Sequence, residues 1–287
     1  MDDLAGWPDD RAMNTPPVAI TVGTGKVGSR VARRLRDAGV DVRIGSRSGG
    51  PPFDWEDRST WAPFVAGCSA AFVTYVPDIG FPGGDDALAA FGSVCRTEGI
   101  DHLVLLSGRG EEGAANAEDA LRSTAGHVTV LRSAWFDQNF SESFLLEPVL
   151  EGVISLPAGD VVEPFVDAED LAEAATLCLT DPASHRSAPY ELTGPELLSF
   201  SDVARILSRA IGRVVLYLPV SVGGYVEAAV AAGVADDEAK AYAELFHSVT
   251  DGRNAFVTGD LPALLGRPAG SFAAYAERTA GDGVWSR

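Results

Sequence analysis

The sequence predicts an α/β protein, a doubly wound parallel sheet with a smaller, mostly helical C-terminal part. Three observations predict it. Val18 to Ser48 reads as strand, glycine turn, helix, strand. Apolar strands then alternate with helices, six times in roughly 130 residues. Beyond Gly194 the texture changes to amphipathic and alanine-rich helices.

Val18 to Val22 is an apolar, β-branched run of strand length. Gly23, Gly25 and Gly28 follow as G-x-G-x-x-G, the spacing of a Rossmann-like dinucleotide turn. The first glycine permits the tight turn, the second lets backbone approach a pyrophosphate, and the third lets helix pack on strand. Val27, Val31 and Leu35 give the next helix one apolar face, and Ala38-Gly39 ends it. That helix start offers N–H groups and partial positive charge to phosphates. Thr24, Lys26 and Val27 complete the candidate cofactor turn. The bland alternative is a glycine turn that binds nothing.

Val40 to Ile44 reads as the second strand, and its end should choose the cofactor. An NAD site usually carries a carboxylate there for the ribose 2′-hydroxyl. Gly45-Ser46-Arg47-Ser48 contains none. Arg47 can fork onto a 2′-phosphate, and Ser46 and Ser48 can donate to it. The expected cofactor is therefore NADP(H), with NAD(H) second. Pro51 to Trp61 reads as a short strand or loop ending in a helix start, with Ser59 or Thr60 as cap. Asp54 would stand beyond a strand end, able to accept from the adenine amine, or be an ordinary loop aspartate.

Ser69 to Val76 is the next buried strand, and Thr74, Tyr75 and Pro77 stand at its carboxyl end, where parallel sheets bind ligands. Gly83 to Glu98 reads as a helix, Asp101 to Leu106 as a strand closed by Ser107-Gly108-Arg109-Gly110, and Ala114 to Thr124 as a helix. Val128 to Leu131 is a further strand, followed by Arg132 to Phe136. Pro164 to Asp167 leads into a helix at Glu169 to Leu179, and Tyr190 to Gly194 is a short strand and turn. Phe200 to Ile211 is an amphipathic helix ending at Gly212, Val214 to Leu218 a strand, and Ser221 to about His247 a helical lid. The domain reading is a disordered lead-in over 1–16, a cofactor-binding domain over 17–160 with strand returns near 164–194, and a helical substrate-binding or lid region over 195–287.

The chain has 287 residues, enough for this architecture and a proper core. Its net charge of −19 should repel nucleic acid and anionic membrane and favour cationic substrates, unless the acidity is only a general habit of its proteome. Cys68, Cys95 and Cys178 have neither metal spacing nor a disulfide pattern, which points to reduced thiols and a cytoplasmic address. No run is long and apolar enough for a transmembrane helix. His102, His127, His185 and His247 show no metal spacing.

The Tyr-x-x-x-Lys pair of short-chain dehydrogenases cannot be built. The chain holds only Lys26 and Lys240, and the residues four before them are Val22 and Asp236. No G-x-S-x-G elbow precedes Ser107.

Several runs nevertheless resemble one family. They are Gly23-Thr24-Gly25-Lys26-Val27-Gly28, Phe53 to Asp57, Leu105 to Glu111, Val130-Leu131-Arg132, Trp135-Phe136 with Gln138-Asn139-Phe140, Pro164 to Asp167, Tyr190 to Gly194 and Asp251 to Asn254. Across nearly its whole length the chain resembles the NmrA-like, atypical short-chain dehydrogenase/reductases, particularly their ergot-alkaloid-reductase-like actinobacterial branch. The resemblance implies a reductase of imines, quinones or dyes, or a redox-sensing regulator without turnover. Val22 and Ser133 depart from a Gly and a Pro common in the family. Ser133 and Asp137 fall where relatives face nicotinamide and substrate. Asp137, often apolar in relatives, could pair with a cationic substrate, act as a general acid or base, or be a surface aspartate.

The expected function is hydride transfer from NADPH to an iminium or a conjugated or quinonoid small molecule, in secondary metabolism. An iminium needs no proton donor at the hydride step, and an acidic pocket stabilises it. Tyr75, Ser107 and Asp137 are the candidate catalytic residues. Trp135, Phe136 and Phe140 are candidates to stack on a planar or cationic substrate, or simply core. Gly108 joins Ser107 at the cofactor. A non-redox isomerase or cyclase and an NADP(H)-sensing binding protein are the alternatives. No metal, nucleic-acid or membrane partner is expected.

Overall fold

A computed structural model describes residues 16–286. The expected lead-in, apart from Pro16, lies outside the described residues. The chain runs β1 (Val18–Ile20), α1 (Lys26–Asp37), β2 (Val42–Ile44), α2 (Trp61–Val65), β3 (Ala70–Val73), α3 (Gly84–Thr97), β4 (His102–Gly108), α4 (Glu112–Thr124) and β5 (His127–Ser133). It continues through α5 (Leu146–Glu151), β6 (Val153–Leu156), β7 (Val162–Glu163), α6 (Ala168–Thr180), α7 (Pro182–His185) and β8 (Pro189–Leu192). Then come β9 (Leu198–Ser199), α8 (Phe200–Ile211), β10 (Leu216–Pro219), α9 (Val222–Ala231), α10 (Asp236–Val249), α11 (Asp260–Leu265) and α12 (Phe272–Gly281).

Six strands form one parallel sheet in the order β2-β1-β3-β4-β5-β8. Strand residues alternate between its faces as the pleat requires. Ala19, Ala71, Val73, Leu103 and Leu105 pack under α2, α3 and α4, with Phe64, Phe91 and Leu121. Val18, Ile20, Phe72, Val104 and Leu106 pack under α1, α6 and α11, with Val31, Leu35 and Leu171. Burial on both faces explains why these strands read as unbroken apolar runs. The chain order reverses at β1, which has β2 on one side and β3 on the other. The crevice outside the carboxyl ends of β1 and β3 is therefore where a ligand belongs.

A third apolar cluster holds the smaller part together around Phe140, Phe165, Phe200, Phe272 and Trp285. Two small sheets serve it, β6 with β10 in parallel and β7 with β9 antiparallel. α8 begins with a reciprocal cap between Ser199 and Asp202 and ends at Gly212 in the left-handed region, φ 76°. The segment beyond the lid helices returns to the main sheet, since Leu261 of α11 joins the cluster beneath α6.

Two local expectations left open by the sequence are settled. Pro51 to Trp61 is a loop closed by a single Asp54–Asp57 bridge and contributes no strand. Asp57 caps the 3-10 turn over Arg58–Thr60, accepting from the Ser59 amide at 3.0 Å; Thr60 stands at the N-cap position of α2, but its side chain makes no cap hydrogen bond there. His102 and His127 open strands β4 and β5. The three cysteines are free and buried. Among the described residues no helix is long and apolar enough to cross a membrane.

Candidate active site

One cavity of about 830 Å³ opens over the carboxyl ends of β1, β3, β4 and β5. The glycine turn forms one end of it. Thr24, Gly25, Lys26, Val27 and Gly28 all line it, and α1 starts there with no side-chain cap and no acidic residue in its first turn. A Cβ on Gly28 would overlap the Val22 carbonyl, and one on Gly23 would stand 2.7 Å from Ile44. The close approach of helix to strand is thus real, and the free N–H groups of α1 fit a phosphate group. Gly23 donates to Gly45 O at 3.2 Å, which ties the turn to the end of β2. Arg47 and Ser48 stand exposed there and Ser46 half-buried, none of them lining the cavity. Asp54 also lies off the cavity; its Oδ1 accepts from the Glu56 amide at 3.1 Å within its own loop.

The strand ends supply the rest of the floor. Thr74, Tyr75 and Pro77 follow β3, and Ser107 and Gly108 end β4; all five line the cavity. Tyr75 packs edge-on against Trp55 with ring centroids 5.1 Å apart, and burial raises its pKa, so its phenol stays protonated. The Ser107 hydroxyl donates to Glu118 Oε1 at 2.7 Å. Glu118 is buried and held by Arg132 at 2.7 Å. With its proton committed inward, Ser107 presents only lone pairs to the cavity.

Trp135 and Phe136 line the cavity, as does Ser133. Phe140 does not. It is fully buried among Phe165, Phe200 and Phe272, so it belongs to the core. Asp137 is also absent from the lining. It is fully buried, neither carboxyl oxygen has a hydrogen-bond partner, and burial with nearby Asp167 and Asp170 raises its pKa well above the usual carboxylate range. Both the catalytic and the surface reading of Asp137 are therefore corrected. The turn over Asp137–Phe140 points it inward, its backbone N–H donating to Val166 O at 2.9 Å.

Helices α9 and α10 cover the cavity through Tyr225, Tyr242 and Phe246. The ring of Phe246 lies 5.6 Å from that of Trp135, and the ring of Tyr242 lies 5.7 Å from that of Phe81 in the loop after β3. Asn254 donates to Arg109 O at 3.0 Å, and Arg109 returns to Asn254 O at 2.8 Å while stacking 4.0 Å over Phe256. The Asp251 to Asn254 run is thereby clamped to the end of β4.

Sequence reasoning missed all five carboxyls that line the cavity, Asp78, Glu111, Glu142, Glu163 and Glu238. Burial raises Glu163 to about 7, against the pull of Arg109. Burial and neighbouring Asp78 raise Glu111 to about 8. The available signal was position, because Asp78 and Glu111 follow the ends of β3 and β4 where ligands gather. Glu163 gave none, since β7 is too short to read.

Fold and site together define a dinucleotide-binding α/β protein. No family model matches the chain. It is 30% identical over 275 residues to the uncharacterized oxidoreductase YesF of Bacillus subtilis, covering 92% of this chain and 95% of that protein. Festuclavine synthase II of Penicillium roqueforti is 30% identical over 279 residues, covering 91% of this chain and 97% of the synthase. Among solved structures, the Citrobacter triphenylmethane reductase complexed with NADP(H) superposes with a TM-score of 0.73 at 24% identity, over 91% of this chain and 99% of that one. The chain belongs to the NmrA-like, atypical short-chain dehydrogenase/reductase family.

Proposed function

We propose that the protein is an NADPH-dependent reductase whose acceptor is a planar iminium, imine or quinonoid small molecule of secondary metabolism. One observation carries the reading. A single cavity joins a phosphate-type helix start to an aromatic, acid-rich chamber under α10. Reduced nicotinamide supplies the hydride when bound.

The chain's own residues do the rest. Gly25 and the first turn of α1 take the pyrophosphate, with Thr24, Lys26, Val27 and Gly28 around it. Arg47, with Ser46 and Ser48, holds the 2′-phosphate beyond the cavity. Thr74, Pro77, Ser107 and Gly108 border the reacting end. Trp135, Phe136 and Phe246 offer faces to a flat acceptor. The cavity has five carboxyl side chains, Asp78, Glu111, Glu142, Glu163 and Glu238, against two cations, Lys26 and Arg109. Arg109 is already engaged by Glu191, and Glu142 by Arg30, which still leaves more carboxyls than cations. That balance favours a cationic acceptor. The names of the relatives, a clavine synthase and a dye reductase among them, support the same class of reaction.

The test is titration with NADPH and NADH, then absorbance of the reduced nicotinamide with a panel of cyclic iminium ions and quinones. We expect NADPH to bind more tightly than NADH and to be oxidised by a panel member. Arg47→Ala should weaken NADPH by roughly tenfold and leave NADH unchanged. Tight binding without oxidation by any acceptor would favour a sensing protein or a non-redox enzyme instead.

A further inference from the structure

Asp78 and Glu111 reach the cavity from neighbouring strand ends, one in the loop after β3 and the other just before α4. Their carboxyl groups converge at Gly80, where a Cβ would stand 2.8 Å from Glu111 Oε2 and 3.3 Å from Asp78 Oδ1, and they share a hydrogen bond. Two carboxylates cannot do so, and one must carry the proton. Burial raises the Asp78 pKa, but the Gly80 amide, donating to Asp78 Oδ1 at 2.8 Å, and the Glu111 carboxyl pull it back toward the charged form. Glu111 Oε2 is buried and takes no N–H or O–H from the other described residues. Glycines make room for it: a Cβ on Gly108 would overlap the Glu111 carboxyl, and one on Gly80 would stand 2.8 Å from Oε2. The proton therefore sits on Glu111, which donates to Asp78.

Other proton-bearing and charged groups face the same cavity. Tyr75 follows β3, while Glu238 and Tyr242 face the cavity from α10. Burial, then Glu238 and Asp78, keep the Tyr242 phenol protonated. Arg109 turns away onto Glu191, Asn254 and Phe256. Arg253 sits on the outer side, 3.3 Å from Gly110 O and paired with Asp251. With Arg109 and Arg253 both engaged elsewhere, the buried pair retains one proton at neutral pH.

We infer that Glu111, held by Asp78, is the proton donor for acceptors that must take up a proton on reduction. The inference rests on the reductase reading above. The acceptor's electrophilic carbon gains the hydride from NADPH, which is oxidised to NADP⁺. The electron pair of the acceptor's double bond moves to its nitrogen or oxygen. The Glu111 hydroxyl turns from Asp78 to that atom and gives up its proton; the Glu111 O–H bond breaks, and its carboxylate keeps the bonding pair. Water reprotonates it afterwards. An iminium already bearing its full set of substituents skips the proton step.

The experiment compares naphthoquinone, which needs a proton, with an N-methyl dihydroisoquinolinium ion, which does not. Glu111→Gln should lose about 100-fold in kcat/KM on the quinone and at least tenfold less on the iminium. A second readout needs no turnover. With ¹³C-labelled glutamate, the Glu111 carboxyl of the free protein should titrate near 8. In Asp78→Asn it should titrate lower, because the like charge is gone. Equal losses on both acceptors, or a Glu111 titration in the ordinary carboxylate range, would overturn the inference. Failure of the wild type on both acceptors would instead sink the reductase reading, and the titration would still decide whether Glu111 holds the proton.

Discussion

Single residues here are set by what surrounds them more than by their type. Asp137 is the sharpest example, a fully buried carboxyl with neither oxygen hydrogen-bonded. Burial comes first among the causes that raise its pKa, then Asp167 and Asp170, with Arg278 opposing. In the unfolded chain the group ionises near pH 4. Above that point the folded protein holds a proton that the unfolded chain has released, so stability falls as pH rises toward the folded-state pKa. Asp137→Asn removes this dependence. Calorimetry should find the variant's Tm raised over wild type at about pH 8 and little changed at about pH 4. Equal shifts at both would mean that packing, not protonation, governs the site. The glycine residues of the cofactor turn were legible in the sequence because their role is backbone clearance, which spacing alone encodes. Ser107 was legible in position but not in role, since Glu118 takes its proton from a helix eleven residues on.

Secondary-structure elements divide by how much each buries. α6 buries Leu171, Ala172, Ala175 and Cys178 against α1 and the sheet, and it reads clearly from sequence. α9 has no buried residue and rests against α10. A helix with so little burial opens at low cost. Hydrogen exchange should therefore be faster in α9 than in α6 by about two orders of magnitude or more. Comparable protection in the two would argue against α9 as a movable cover. α8 was legible end to end, because cap, amphipathic face and Gly212 all lie within it. β6, β7 and β9 were not. Each is two to four residues long and exists only through a partner distant in sequence, as Val153 pairs with Leu216 and Glu163 with Leu198.

At the scale of the whole molecule, charge and topology act together. The net charge of −19 surrounds a cavity in which carboxyls outnumber cations. Under the proposed reading such a field would draw in a cationic acceptor, and salt would screen it. Raising NaCl from about 10 mM to about 500 mM should increase KM for the N-methyl iminium several-fold and leave KM for naphthoquinone nearly constant. A parallel rise for both acceptors would place the salt effect on cofactor binding instead. Two ionic clamps also close the structure over its own length. Arg30, Arg33 and Arg34 of α1 meet Glu169 of α6, and Arg30 further holds Glu142 beside the cavity.

The sequence by itself determined the parallel sheet, the phosphate-type turn and the places where ligands gather. Those depend on local periodicity, glycine spacing and the rule that strand ends bear sites. Tertiary structure alone decided which side chains reach the cavity. It sent Asp137 and Phe140 inward, brought Trp135 and Phe136 to the wall, and set Glu111 against Asp78 across two strand ends. A side chain's direction, burial and proton are fixed by neighbours that the chain brings back from far along its length. No local pattern carries that information.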